Sequence, residues 1–408
     1  MPSISLSLRV SAVLALTLAL ASCNAGGGGS TCTVTLSPGA DDQIAFQMAF
    51  VDARAGATIC VSPGTYHFSD PVSLAGLTGV TFRGTGAAPA DVTLDFAGMT
   101  SGERGVSFTD MTDVTVENMR ILDATHDDLY FQHCHGVTVR HVIAGWVNRA
   151  QHGAYAIYPV ESEDVLLDQC EAFGSADAGL YVGQTTNCIV SNSSVHDNVA
   201  GLEIENSTNC EVVGNTTFHN TAGILVFELP GLLNHGSHTS VHDNISMDNN
   251  LANFATGGVV QYVPVGLGMM IMAAHEVEIY DNTVSGNGTV GIMLLSYDTA
   301  VVAGAPRSTD AAYDGRLRHA YVHDNVQSGN AHAPDGAVGP LAQLDGTVEV
   351  DVMWDMVVPT DNVAPQICVA TSGHFRAVDQ PHGFATVSDV IPAEAAACMA
   401  PIVPPVML

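Results

Sequence analysis

Glu203 and Glu205 stand two apart in the run Ala200-Gly201-Leu202-Glu203-Ile204-Glu205, where polar and apolar residues alternate as in a β-strand. On a strand both carboxylates face one side, about 7 Å apart. At that spacing a pair can serve as acid and base on a glycosidic bond or hold Ca²⁺. The strand has relatives: Ala178-Gly179-Leu180-Tyr181-Val182 precedes it by 22 residues, and Ala222-Gly223-Ile224-Leu225-Val226 follows it by 22. Aligning copies on Leu129, Ile157, Leu180, Leu202 and Ile224 places Tyr130, Tyr158, Tyr181, Glu203 and Leu225 in one outward column. Gln132, Val160, Gly183, Glu205 and Phe227 form the next. Stacked tyrosines ending in carboxylates predict a flat outward strip about 20 Å long, suited to the faces and hydroxyls of sugar rings. Tyrosine's liking for strands would give the same column with no ligand. The candidate substrate-binding residues are Tyr130, Tyr158, Tyr181, Asp177 and Phe227.

His126, Arg149, His152 and Asp177 fall where the chain enters these strands. Lyases and C5-epimerases of polyuronates need a cation to neutralise the uronate carboxylate, a base to remove H5, and an acid for the opposite face or the leaving oxygen. Arg149, His152 and Tyr158 or Tyr181 can fill those roles if their loops converge. The candidate catalytic set is therefore His152, Arg149, Tyr158, Tyr181, Glu203 and Glu205. Asp127, Asp128, Asp177, Glu203 and Glu205, with Glu228 nearby, are equally candidates for Ca²⁺. On so acidic a chain they also read as a solvated patch.

The elements that must position these residues follow from the period. Self-similarity every 22 residues marks a solenoid whose coils bury their apolar faces against their neighbours. Short alternating strands with Asn and Gly at the corners make each coil one turn of a parallel β-helix. The corner signature recurs as Asn192, Asn215, Asn244, Asn282 and Asn325, with a second asparagine following at Asn198, Asn220, Asn249, Asn287 and Asn330. These asparagines read as structural, tolerating left-handed geometry and bonding coil to coil. Gaps between the first asparagines grow from 23 to 29, 38 and 43 residues. The surplus lies at 228–240, 251–268 and 298–318, so three insertions are expected on one side, where they would build a binding face.

The chain has 408 residues, and its 42 acidic residues against 11 basic ones give a net charge of −31. All the basic residues are arginines, which removes any mechanism with a lysine base. This charge argues against nucleic acid and anionic lipid as partners. At the start, Arg9 precedes an apolar run over 10–20, too short for a permanent membrane span. Cysteine use fits export: Cys32–Cys60 and Cys368–Cys398 are expected staples. Cys188 and Cys210 stack in successive coils, able to bridge but read as a column of free thiols.

Several runs resemble known families. Leu20-Ala21-Ser22-Cys23 is similar to a bacterial lipobox, which implies that Cys23 is lipidated and becomes the first mature residue; the alternative is an ordinary signal peptide cut after Ala21 or nearby. A helix expected over 41–54, followed by "ATICVSPGTYHF" and "GVTFRGTG", resembles the start of the pectin-lyase-like right-handed β-helix superfamily. The runs "GAYAIYPVESEDVLLD", "SADAGLYVGQTTN", "VAGLEIENSTN" and "TAGILVFELPGL" resemble a family of exported bacterial parallel β-helix repeat proteins. That resemblance implies the fold and export, and no particular activity. The fold expected is all-β: a right-handed parallel β-helix with a short N-terminal capping helix and an irregular C-terminal cap. Residues 1–22 would be signal peptide, 23–40 lipid anchor and Gly-rich tether, 41–340 the β-helix and 341–408 the cap.

The function expected is a lipid-anchored protein of the bacterial cell envelope that binds a polysaccharide and modifies it by lyase or C5-epimerase chemistry. The second expectation is a non-catalytic surface module for a glycan or a partner protein, its loops ordered by Ca²⁺. A glycoside hydrolase using Glu203 and Glu205 is a third.

Overall fold

Each copy of the repeat pairs in parallel with its counterpart one coil later. Ala178–Gly183 lies between Tyr155–Val160 and Ala200–Glu205, and Ala222–Phe227 follows, with Leu180, Leu202 and Ile224 in register. The pairing runs from Val72–Ala75 to Phe375–Val378 in a twelve-stranded sheet, whose last edge is closed by antiparallel Val387–Ser388. The other strands stack in the same way into a twenty-stranded set. This is the parallel β-helix that the period predicts. The computed structural model describes residues 31–148, 150–335, 350–358, 367–396 and 402–408. Among these, no helix is long and apolar enough to cross a membrane. Cys23 and the rest of residues 1–30 lie outside the described residues, whereas Val34–Leu36, expected in the tether, is a strand paired in parallel with Ile59–Val61.

Simple alternation does not describe the strands of the twelve-stranded sheet. Ala156 and Ile157, adjacent in sequence, both enter the main core. The second strand position is therefore crowded, and after Ala156 glycine fills it in the next five coils. A Cβ at Gly201 would stand 2.6 Å from the carbonyl oxygen of Gly223. The first, fourth and sixth positions face away from that core. Ala178, Tyr181, Leu225 and Phe227 lie there, within a second apolar cluster that also holds Met270, Met293, Val260 and Tyr297. The three insertions supply the cover of this second core.

Two asparagine ladders run along the solenoid. Asn215 donates through Nδ2 to Asn244 Oδ1 at 3.0 Å, Asn244 to Asn282 at 3.0 Å, and Asn282 to Asn325 at 2.9 Å. The second ladder passes from Asn198 through Asn220, Asn249 and Asn287 to Asn330. In both, the left-handed residue is the one before the asparagine, such as Asp243, Asp281 or Asp324. This corrects the expectation that the asparagines take that geometry. They hydrogen-bond, and their neighbours turn the chain. Asn192 is not a rung: it is itself left-handed, and Ser193 occupies the ladder position, its N–H bonded to Asn215 Oδ1.

The helix Asp42–Asp52 is capped by Asp41, whose carboxylate accepts from the Ile44 N–H, and it buries Phe46 and Phe50 in the first coil. At the other end the stack continues beyond residue 340. Val352–Trp354 pairs with Ile292–Leu294, and Ile367–Ala370 pairs with Ala320–His323. The long insertions had masked this part of the period. Cys32 and Cys60 are joined as expected. Cys188 and Cys210 are also joined, which corrects the free-thiol expectation: neighbouring coils bring their Cα atoms to 4.5 Å. Cys368 is disulfide-bonded, and Cys398, its expected partner, lies outside the described residues.

Candidate functional site

The tyrosine column exists, but it is not a flat outward strip. Tyr130 and Tyr158 rings pack edge to face at 5.1 Å, and Tyr158 meets Tyr181 at 4.7 Å. Tyr155 joins them from the first strand position, 4.3 Å from Tyr158 and 4.7 Å from Tyr181. Tyr130, Tyr181, Glu203, Glu205 and Phe227 are buried, while Tyr155, Tyr158 and Asp177 keep partial exposure. The insertion at 251–268 closes over this end of the column. Its Gly258 backs onto the Asp177 carboxylate, where a Cβ would come within 3.3 Å of Oδ2.

Burial sets the chemistry of the floor. Tyr155 donates to Asp177 Oδ2 at 3.1 Å, and Tyr181 donates to Glu205 Oε2 at 2.7 Å. Desolvation pushes Asp177 up to about 7; the Tyr155 hydrogen bond opposes this and the Glu205 charge adds to it. Burial likewise pushes Glu205 up to about 7 against the pull of Tyr181. Glu203 is raised well above the usual carboxylate range by burial and by Asp177 and Glu205, and its Oε1 has no hydrogen-bond partner. Tyr155 and Tyr181 are held neutral by burial and by these carboxyls. The result is two tyrosine–carboxyl pairs in which both carboxyls change protonation near neutral pH.

The rim is charged. Asp127 accepts from His126 Nδ1 at 2.7 Å and lies 3.6 Å from Arg104 Nε. The Asp127 hydrogen bond raises the His126 pKa. Arg104 lies over the Tyr130 ring at 3.5 Å. Beyond it, Ser73 and Ser107 occupy the same register column as Tyr130. They line an open groove of about 620 Å³ with Pro71, Gly102, Glu103 and Arg104. The sequence reading missed Tyr155 and Arg104. Strict alternation put Tyr155 inside, and nothing in the sequence marks Arg104 as lying over a tyrosine.

The other expected residues divide. Arg149 lies outside the described residues. His152 meets Phe254 of the 251–268 insertion edge to face at 5.8 Å, and no hydrogen bond joins it to the tyrosine–carboxyl floor. Asp128 follows Asp127 directly, at the inward position where later coils have alanine or glycine. Its Oδ1 accepts from the Ala124 N–H, and burial raises its pKa strongly. Its expected place beside Asp127 in a metal site is therefore corrected. Asp127, Asp177, Glu203 and Glu205 also fail to converge as ligands. Among the described residues, the set of three such groups with ligand atoms within 4.8 Å of one another is His135, Glu163 and Asp164. Glu228 is buried beneath the insertions and raised to about 7 by desolvation, against the pull of the Gly236 N–H, with His235 Nδ1 3.7 Å from its Oε2.

A family model described as "Right handed beta helix region" matches residues 77–229 and 147–305, together more than half of the chain. The chain belongs to this family. Among solved structures with the family's architecture is the mannuronan C-5 epimerase AlgE6 A-module of Azotobacter vinelandii, at 16% identity and a TM-score of 0.53, covering 77% of this chain and 76% of that one. A polygalacturonase from Erwinia carotovora ssp. carotovora is similar at 10% identity and 0.46, covering 78% and 95%. An alginate lyase from Paenibacillus sp. str. FPU-7 is similar at 12% and 0.43, covering 78% and 90%. No curated protein matches the sequence. At these identities the likeness is one of fold.

Proposed function

We propose that the chain binds a polysaccharide along the groove from Ser73 and Ser107 to Tyr158, and moves protons on a sugar at its Tyr155–Asp177 and Tyr181–Glu205 pairs. The observation that carries this reading is the pairing itself: two carboxyls near 7, each hydrogen-bonded to a tyrosine held neutral. Groups poised near neutral serve as both base and acid. In a lyase step one takes H5 of a uronate while another protonates the departing O4 oxygen, leaving a C4–C5 double bond. In an epimerase step the proton returns to C5 from the opposite face. Arg104 is the described cation beside this face able to meet a uronate carboxylate. The A. vinelandii A-module, named for epimerising mannuronan, has the same fold. Export and lipid anchoring through Cys23 complete the proposal, from the sequence signal alone.

The test is a panel of acidic and neutral polysaccharides incubated with the full chain, Glu205→Gln and Asp177→Asn. The readouts are binding, ultraviolet absorbance of unsaturated uronates, and solvent exchange at C5. Absorbance or exchange that both variants lose while binding remains supports the enzyme. Burial of Tyr181, Glu203 and Glu205 favours a second reading, a non-catalytic module for a glycan or partner protein. Binding without either signal in the unaltered chain would establish that reading, and no glycan binding at all would leave the partner protein.

A further inference from the structure

A second group of titratable side chains lies away from the tyrosine floor, at the corner where the chain leaves the twelve-stranded sheet. His135 and Glu163 are direct register partners on adjacent coils. Consecutive strand residues point to opposite faces, so Asp164 would ordinarily turn away from the side Glu163 takes. It does not, because its backbone is left-handed, with φ of 54°. Glu163 Oε2 stands 3.9 Å from one imidazole nitrogen of His135, and Asp164 Oδ2 stands 3.5 Å from the other.

The surroundings are built as well. Asn187 Nδ2 donates to Asp164 Oδ1 at 2.7 Å, and Asn209 Nδ2 donates to Asn187 Oδ1 at 2.6 Å. This amide chain, drawn from the next two coils, fixes Asp164 from behind and leaves its other oxygen toward His135. Such an outer partner is what orients metal-ligating carboxylates. The neighbouring pair His133 and Glu161, 2.9 Å apart, borders the same cleft of about 400 Å³. Two imidazoles, His133 and His135, and two carboxylates, Glu161 and Glu163, thus line this cleft beside Asp164, in a chain of net charge −31.

We propose that His135, Glu163 and Asp164 bind a borderline divalent cation of the Zn²⁺ kind, stapling two adjacent coils at this corner. Imidazole with carboxylates suits such an ion, whereas Ca²⁺ takes an all-oxygen set. Ligand bonds near 2 Å put tetrahedral donor atoms about 3.3 Å apart. The three donors now lie within 4.8 Å of one another, a gap that rotation of the exposed His135 and Glu163 side chains closes. Water fills the fourth position. The site shares no residue with the tyrosine floor, and the polysaccharide reading can fail without affecting it.

The experiment is calorimetric titration of chelator-treated full-length chain with Zn²⁺ and, separately, Ca²⁺. The expected result is one saturable Zn²⁺ site in the unaltered chain, lost in His135→Ala and in the double variant Glu163→Gln, Asp164→Asn. Asn187→Gly, which keeps the left-handed backbone, should weaken it about tenfold. His242→Ala, whose imidazole pairs with Glu211 elsewhere, should leave it unchanged. Far-ultraviolet dichroism confirms that each variant is folded. Zn²⁺ binding that survives both ligand variants, loss in His242→Ala equal to that in His135→Ala, saturable binding of Ca²⁺ in place of Zn²⁺, or no saturable binding would each overturn the assignment.

Discussion

Tyr181 reaches Glu205 diagonally across two coils by lying over Gly183. In register Tyr181 stands beside Glu203, and Gly183 stands beside Glu205. The phenol crosses above the glycine to come 2.7 Å from Glu205 Oε2, and a Cβ on Gly183 would run into the Tyr181 hydroxyl and ring. The missing side chain at residue 183 is therefore what allows the second tyrosine–carboxyl pair to form.

Gly183→Ala should displace the Tyr181 ring and break this pair. Overpacking of this kind costs about 1–3 kcal/mol. Denaturant melts should show that loss, and near-ultraviolet dichroism should show altered tyrosine signals. Tyr181→Phe should keep the packing and lose only the hydrogen bond.

Stability should fall as pH rises from about 5 to 8. Asp177 and Glu205 have folded values raised to about 7, so the folded chain holds protons that the unfolded chain has already released. Their stabilising share is complete below the unfolded carboxylate range and disappears as pH passes through 7. For Glu205, a rise from 4.5 to about 7 corresponds to roughly 3 kcal/mol. Glu205→Gln should flatten the pH dependence of Tm, and an unchanged slope would remove Glu205 as its source.

Asn282→Ala should be among the most costly single substitutions in the solenoid. Asn282 Nδ2 donates to Val241 O, Tyr280 O and Asn325 Oδ1, and its Oδ1 accepts from the N–H and Nδ2 of Asn244. Each buried group left unpaired costs about 1–3 kcal/mol. A total loss above about 3 kcal/mol is expected in urea unfolding.

Replacing Cys188 and Cys210 together by alanine should cost about 3 kcal/mol, the loop-closure value for a bridge across 22 residues. Reduction also opens Cys32–Cys60 and the Cys368 bond, so the unaltered chain should lose more on reduction than the double variant does, by a similar amount.

Arg104→Ala should weaken binding of an acidic glycan about tenfold while leaving a neutral one unchanged. Arg104→Lys should restore only part of it, because a planar guanidinium both stacks on Tyr130 and reaches a carboxylate. Titration against matched acidic and neutral oligosaccharides gives the comparison.

The coil itself was legible because Leu180, Leu202 and Ile224 repeat every 22 residues within short alternating strands that end in Asn and Gly corners. The site was legible in composition but not in exposure. Tyr130, Tyr158, Tyr181, Glu203 and Glu205 were found by column, yet the column's cover comes from 228–240, 251–268 and 298–318, whose folding leaves no period to read. Tyr155 escaped because two inward residues, Ala156 and Ile157, separate it from Tyr158, where strict alternation allows one. Asp128 was misplaced for the same reason. The Cys188–Cys210 bond was left open because spacing sets proximity and not redox state.

The bridge between Cys188 and Cys210 also changes how the chain would yield to a pull. Coils that touch only their neighbours should peel away one after another under tension, each releasing its length into the extended strand. The bridge removes the 22-residue span it closes from that sequence, withholding roughly 75 Å of contour at about 3.4 Å per residue. The unaltered oxidised molecule should therefore stretch less far than an oxidised variant lacking this one bridge by that amount, with the coil beside the tyrosine floor kept as a closed ring while its neighbours unwind.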